Sequence, residues 1–384
     1  MRILIVSGQY YPQKNGVQGV TQYQAEGLVR LGHQVTVITS IRHSPKEHEW
    51  HNGVEIVRID ALTDFMLYFG DKNRYLELLK EYSKQVDVIM TVCIESWTTD
   101  WALPIIDELN CAKVMMIHGI HDFRWSTFKD RSLYGIARKL WGDVRWRPFF
   151  TKNWKNIKKY NSIIQLHEED FATVYFKKHG VDQQEILYNA VDDQFFEVCK
   201  EKNNQIINVG SYSSGKNQIA CLKAFYMSKA KDWKLVLIGS SKNSYYKKMI
   251  ECRAELEKKY GHRDVEIKVN IPREETIEEI KKSKIYLLTS ISEMFPVSLL
   301  EGMASGCAWI STDVGVNRYL PGGEICNTSL EMAQAIERIV ENKYWLTKGE
   351  FAKKFAQGNC RKSIQVKRLE HILIAAINEN TKRV

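Results

Sequence analysis

Residues 2–40 read RILIVSGQYYPQKNGVQGVTQYQAEGLVRLGHQVTVITS. Residues 2–7, with the apolar run Ile3-Leu4-Ile5-Val6 at their centre, stop at Gly8, the pattern of a strand buried on both faces of a parallel sheet. The glycine-punctuated stretch 12–19 predicts a loop, and a helix follows over about 20–31. Gly32 closes that helix as a C′ glycine does, and 34–40 is the next strand. Strand, loop, helix and strand make one βαβ unit, which sets the fold class as α/β.

Working outward, further strand-like runs occur at 54–59, 86–92, 113–118 and 162–167, with helical stretches between most of them. A second series starts at 205–210 and continues with strands at 234–238, 265–269, 285–289 and 308–311. Helices near 217–230, 244–260, 273–283 and 297–305 alternate with them. The expected architecture is two Rossmann-like domains, 1–188 and 189–360, joined by a linker over 188–204 and facing across a cleft at their strand C-termini. Residues 343–384 read as helices without a new strand. The chain of 384 residues, 44% hydrophobic and 26% charged with 7 prolines, has apolar surface for two cores, which excludes disordered, collagenous and coiled-coil classes. Its apolar runs are too short to span a bilayer, no leader pattern is visible, and the 8 cysteines show no C-x-x-C pair. These features predict a cytoplasmic protein with reduced thiols.

The formal net charge of +9 is unevenly placed. Residues 191–342 balance at 21 basic and 21 acidic side chains. Residues 138–160 hold eight Lys or Arg against Asp143, and 343–384 hold ten against three. Trp141, Trp146, Phe149, Phe150, Trp154 and Tyr160 interleave with the first basic segment. That mixture suits an anionic membrane surface, and it equally suits a solvated helix whose aromatics face the core. Nucleic acid is disfavoured, because the 191–342 half carries no net charge.

The most informative motif is Glu293-Met-Phe-Pro-Val-Ser-Leu-Leu-Glu301. A strand ends, a short loop carries Glu293, and a helix starts near Phe295 or Pro296, where a proline fits the first turn. Free amides and the dipole at that N-terminus make an anion site suited to a diphosphate. Glu301, in an otherwise apolar helix, needs a partner there.

This pattern, followed by Gly302-Met-Ala-Ser-Gly-Cys307, resembles the donor-site signature of retaining GT-B glycosyltransferases, family 4 in particular. The Gly16 and Gly19 loop is similar to that family's glycine-rich loop. Ile117-His118-Gly119 matches its histidine after a strand, and Asn189-Ala-Val-Asp-Asp-Gln-Phe195 its linker. Asn208-Val-Gly-Ser211-Tyr-Ser-Ser-Gly-Lys216 resembles its phosphate loop, with Ser211 where many members carry Arg. The resemblance implies transfer of a sugar from a nucleoside diphosphate, most commonly uridine diphosphate, to a glycan or lipid-linked acceptor, as in cell-surface polysaccharide or glycolipid synthesis. It implies catalytic roles for Glu293, His118 and Lys216. Donor binding would fall to Gly16, Gly19, Ser211, Phe295, Pro296, Val297 and Glu301, with Arg273 or Lys216 compensating for Ser211. His121, Asp122 and Arg124 are acceptor candidates. No cofactor and no metal are expected, since the sequence has no Asp-x-Asp. The resemblance further implies that the helix over 361–384 packs back on the first domain, and the basic segment 138–160 suggests peripheral attachment to the inner face of a membrane. Two alternatives stay open: a non-catalytic GT-B module partnering another transferase, for which Ser211 speaks, and a sugar-nucleotide epimerase or phosphorylase.

Overall fold

The structure is a computed structural model and describes residues 1–13, 16–44, 46–125, 133–197, 199 and 201–383. It divides into two compact units, Met1–Tyr188 with Lys362–Val384, and Asn189–Arg361.

The first unit carries strands β1 (Arg2–Val6), β2 (Gln34–Ser40), β3 (His48–His51), β4 (Val54–Ile59), β5 (Ala61–Asp64) and β6 (Leu67–Gly70). Strands β7 (Val88–Val92), β8 (Ala112–Met116), β9 (Ser162–Gln165) and β10 (Gln184–Ile186) complete it. Its helices are α1 (Gly16–Arg30), α2 (Lys72–Ser83), α3 (Trp97–Asp100), α4 (Leu133–Ile157) and α5 (Phe171–Lys178). The eight-stranded sheet runs β10-β9-β8-β7-β1-β2-β4-β3, parallel except for β3. Ile3, Leu4, Ile5 and Val6 are wholly buried, as a β-branched run covered on both faces requires. The chain leaves β1 for β2 on one side while β7 lies on the other, so the order reverses at β1, where open α/β sheets leave a crevice beyond the strand ends.

The second unit holds β11 (Gln205–Val209), β12 (Lys234–Gly239), β13 (Asp264–Val269), β14 (Ile285–Leu288), β15 (Ala308–Ser311) and β16 (Gly323–Ile325). Among them stand α6 (Gln218–Met227), α7 (Ser244–Tyr260), α8 (Arg273–Lys282), α9 (Val297–Ala304), α10 (Ser329–Glu341) and α11 (Trp345–Asn359). The sheet order is β13-β12-β11-β14-β15-β16, all parallel. Both units are therefore Rossmann-like.

The last helix, α12 (Lys362–Arg383), belongs to the first unit and packs on α1, β7 and β8. Gly27 of α1 makes the approach possible, since a Cβ there would stand 2.5 Å from Val366 Cγ2. His33 Nε2 meets Glu370 Oε1 at 2.7 Å across the same contact.

One expectation is corrected. Gly16 and Gly19 lie in the first turns of α1 and do not form a loop. The buried set Gln18, Thr21, Ala25 and Leu28 already follows helical spacing from residue 18, and this pattern outweighs the cost of glycine in a helix. Of the two readings open for 138–160, the structure agrees with the one whose aromatics face the core. Trp146, Phe150 and Tyr160 belong to the first unit's core, and Phe149 and Trp154 pack against it, leaving Trp141 exposed. Positions 146, 150 and 157 share one face of α4.

Candidate active site

In the second unit, the loop after β14 leads to α9, whose N-cap is Pro296. The helix begins at Val297, so the proline stands just outside the first turn. Two contacts hold the loop. Asn189 Nδ2 donates to the Phe295 carbonyl at 2.8 Å, and Val316 N donates to the Met294 carbonyl at 3.1 Å. Gly315 lets that second segment close in: its φ is +55°, and a Cβ there would lie 2.1 Å from the Met294 oxygen.

Glu293 projects from this loop and is mostly buried, and its Oε1 accepts from Lys216 Nζ at 2.5 Å. Lys216 comes from the turn between β11 and α6. Thr289 Oγ1 approaches the carbonyls of Lys216 and Asn217 at 3.0 and 2.9 Å, which ties this turn to the end of β14. Asn217, in left-handed conformation at φ 52°, starts α6. A cation and an anion thus meet a few residues before the free amides of α9.

Glu301 lies within α9 and is buried, with its side chain 7% exposed. Arg273 of α8 bonds its Oε1, stands over the Phe195 ring at 5.0 Å, and lies 3.8 Å from Asp192. The glutamate pair of the sequence motif is therefore split, with Glu293 on Lys216 and Glu301 on Arg273. Arg273 is engaged in holding Glu301. Gly302 has its own local cause, since a Cβ there would meet the Tyr286 ring at 2.6 Å. Ser211 is exposed, and its carbonyl accepts from Gln218 Nε2 at 3.1 Å. Tyr212 beside it is buried against Gly239, where a Cβ would stand 2.6 Å from the ring.

The other candidates lie in the first unit. His118 follows β8, and burial pushes its pKa down to about 4, so the imidazole is neutral near pH 7. Its buried Nε2 meets no hydrogen-bonding partner among the described residues. His121 donates its backbone N–H to both carboxylate oxygens of Glu95 at 2.9 Å, and its Nε2 lies 2.7 Å from Asp143 Oδ1. Burial lowers the His121 pKa against the opposing pull of Asp143. Gly142 leaves room for this ring, which a Cβ would meet at 2.2 Å. Asp122 and Arg124 face each other on the surface, Nε to Oδ1 at 3.0 Å and Nη2 to Oδ2 at 2.9 Å.

Sequence reasoning missed a cavity of about 470 Å³ at the reversal point of the first sheet, lined by Gly8, Gly16, Leu62, Thr63, Cys93 and Ser96 among others. Beside it the backbone is unusual: Cys93 and Glu95 have φ of 68° and 62°, although neither is glycine. Burial raises the Glu95 carboxyl to about 8 and Asp100 to about 7. Asp100 accepts from Glu95 N at 3.1 Å and from Tyr68 Oη. The only signal in the sequence was two acids placed after an apolar run. Among the described residues, no three His, Cys, Asp or Glu side chains gather so as to hold a metal ion.

Two family models match the chain: "Glycosyltransferase Family 4" over residues 14–195 and "Glycosyl transferases group 1" over 191–358. Among solved structures, a glycosyltransferase from Rickettsia africae is similar at TM-score 0.72 and 16% identity, with 98% of each chain covered. HepE of Anabaena, solved with UDP and glucose, is similar at TM-score 0.69 and 12% identity, covering 98% of this chain and 100% of its own. An uncharacterized 42.6 kDa protein in the cps region of Klebsiella pneumoniae is 40% identical over 58 residues. That stretch is 15% of this chain and only 16% of the Klebsiella protein.

Proposed function

From the premise that this chain belongs to the GT-B glycosyltransferases of the family 4 type, we propose that it moves a sugar from a UDP-sugar to a hydroxyl of a glycan or lipid-linked acceptor, with retention at the anomeric carbon. The observation that carries this reading is the Lys216–Glu293 pair just ahead of the α9 amides. In the reaction, the acceptor oxygen bonds to the anomeric carbon on the face from which the diphosphate leaves. The bond from that carbon to the phosphate oxygen breaks, and the hydroxyl proton passes to the departing phosphate.

Negative charge grows on the diphosphate, and Lys216 with the amide groups at the start of α9 are fixed positive ends that meet it. The donor's phosphate competes with Glu293 for Lys216, and the released carboxylate then holds hydroxyls of the donor sugar. Arg273 holds Glu301 oriented to accept from ribose hydroxyls. His118 stays neutral, and so serves as a hydrogen-bonding group for a sugar hydroxyl and not as an acid. The cavity beyond β1 and β7, largely apolar with Thr63 and Ser96 on its wall, suits the acceptor. UDP is favoured because HepE was solved with it, and a polysaccharide product is favoured by the cps-region match. No residue of the proposed chemistry calls for a metal.

The test is proton NMR of the glycoside formed from a series of UDP-sugars and acceptors. An anomeric coupling unchanged from donor to product supports the reading, and an inverted one removes it.

A further inference from the structure

The outward face of α4 changes character along its length. At about 100° per residue, Leu133, Tyr134, Leu140, Trp141 and Val144 fall on one solvent-facing arc. Leu133 is 87% exposed, Val144 68% and Trp141 53%. Farther along, the same arc carries exposed Arg147, Lys152 and Lys155, and Arg138 borders the apolar part. The opposite arc, with Trp146, Phe150 and Ile157, is in the core, so the helix cannot turn to hide its apolar residues.

Charge narrows what can cover this face. Asp143 is the one acid between residues 138 and 160. It accepts from Lys139, His121 and Arg147, and although burial alone would raise its pKa, the hydrogen bonds from Lys139 and His121 pull it below the usual carboxylate value. Asp143 is thus committed to Lys139, His121 and Arg147, and no other acid between residues 138 and 160 is left to offset Arg138, Lys152 and Lys155. A second copy laid on the face would bring like charges together. A bilayer span is ruled out for this helix, because among the described residues no helix is long and apolar enough to cross. An apolar strip continuous with a row of cations matches an interface where acyl chains meet anionic headgroups.

We propose that the outward face of α4 docks the protein on an anionic lipid bilayer. Leu140, Trp141 and Val144 enter the boundary between headgroups and acyl chains, while Arg138, Lys152 and Lys155 pair with lipid phosphates. This surface differs from the basic–aromatic face expected from the sequence, because most of those aromatics point inward.

The experiment is co-sedimentation of the full chain with vesicles of phosphatidylcholine, and with vesicles of phosphatidylcholine plus phosphatidylglycerol, at low and high salt. Two triple variants are compared with wild type, each checked for an unchanged thermal melt. The wild type is expected on the anionic vesicles only, with binding that weakens as salt rises. Arg138→Gln/Lys152→Gln/Lys155→Gln should bind roughly a hundredfold more weakly, from the loss of three lipid-facing charges. Leu140→Ser/Trp141→Ser/Val144→Ser should bind at least ~10-fold more weakly even at low salt. Equal binding to neutral vesicles overturns the proposal, as does wild-type affinity in either folded variant. A concentration-dependent dimer that the serine variant abolishes, without vesicle binding, also overturns it and assigns the face to self-association.

Discussion

Replacing Arg273 with methionine tests whether the donor half of the site is built as described. The substitution keeps much of the aliphatic stem but deletes the guanidinium that bonds Glu301 and covers Phe195. A hydrogen bond between charged groups is worth about 1.5–3 kcal/mol. The Arg273 side chain is 45% exposed, and solvent screening reduces its share to about 1–2 kcal/mol. Loss of the cation over the ring adds about 0.5–1 kcal/mol, for about 1.5–3 kcal/mol in all. For a unit the size of Asn189–Arg361, each kcal/mol moves Tm by about 2–4 °C, so a fall of about 3–12 °C is expected. Glu301→Gln keeps the shape and removes the charge. In a double-mutant cycle of thermal and urea melts, Arg273→Met and Glu301→Gln should couple by about 1–2 kcal/mol. Coupling near zero, or an Arg273→Met melt indistinguishable from wild type, would refute the assignment of Arg273 as the group that holds Glu301.

Three further outcomes follow from the same geometry. Gly315→Ala puts a Cβ against the Met294 carbonyl at a positive φ, so stability should drop by about 1–3 kcal/mol and donor KM should rise as the Glu293 loop shifts, as melts and initial rates will show. Lys216→Met removes the cation nearest the proposed diphosphate. It should lower kcat/KM by roughly 100-fold or more in steady-state assays on whichever UDP-sugar is used, and Tm should fall by a few degrees because mostly buried Glu293 loses its cation. Glu95 has its folded pKa raised to about 8, so the native state binds its proton more tightly than the unfolded chain, and its contribution is lost as pH rises from about 4.5 through 8. Glu95→Gln should flatten the fall in stability across that window by up to about 1.4 kcal/mol per pH unit, measured by urea denaturation at a series of pH values.

The parts of the fold that local chemistry writes were legible. The buried β1 run, Gly32 at φ 88° after α1 and the proline ahead of α9 each follow from a rule acting over a few residues. The junction carrying Glu293 and Glu301 was legible as strand, loop and helix because that context is also local. The partners were not, since Lys216 reaches Glu293 and Arg273 reaches Glu301 only once β11, β14 and α8 are assembled. Residues 16–19 were misread as loop because glycine was weighed above the spacing of Gln18, Thr21 and Ala25, polar and small residues that the burial of α1 nonetheless counts as inward. A helical projection of 138–160 would have sent Trp146 and Phe150 inward, leaving Trp141 out. Glu95 gave no warning at all, because its left-handed backbone and its bond from His121 arise from the turns beyond β7 and β8.

The central claim, a nucleoside diphosphate site built on Lys216, Glu293 and the start of α9, is most directly tested by melting the wild type with uridine, guanosine and adenosine diphosphates in turn. At a hundredfold excess over Kd, ligand binding stabilises by about 2.7 kcal/mol. A rise of that size is expected with uridine diphosphate, abolished in Lys216→Met. No rise with any of the three, or a rise that survives Lys216→Met unchanged, would contradict it.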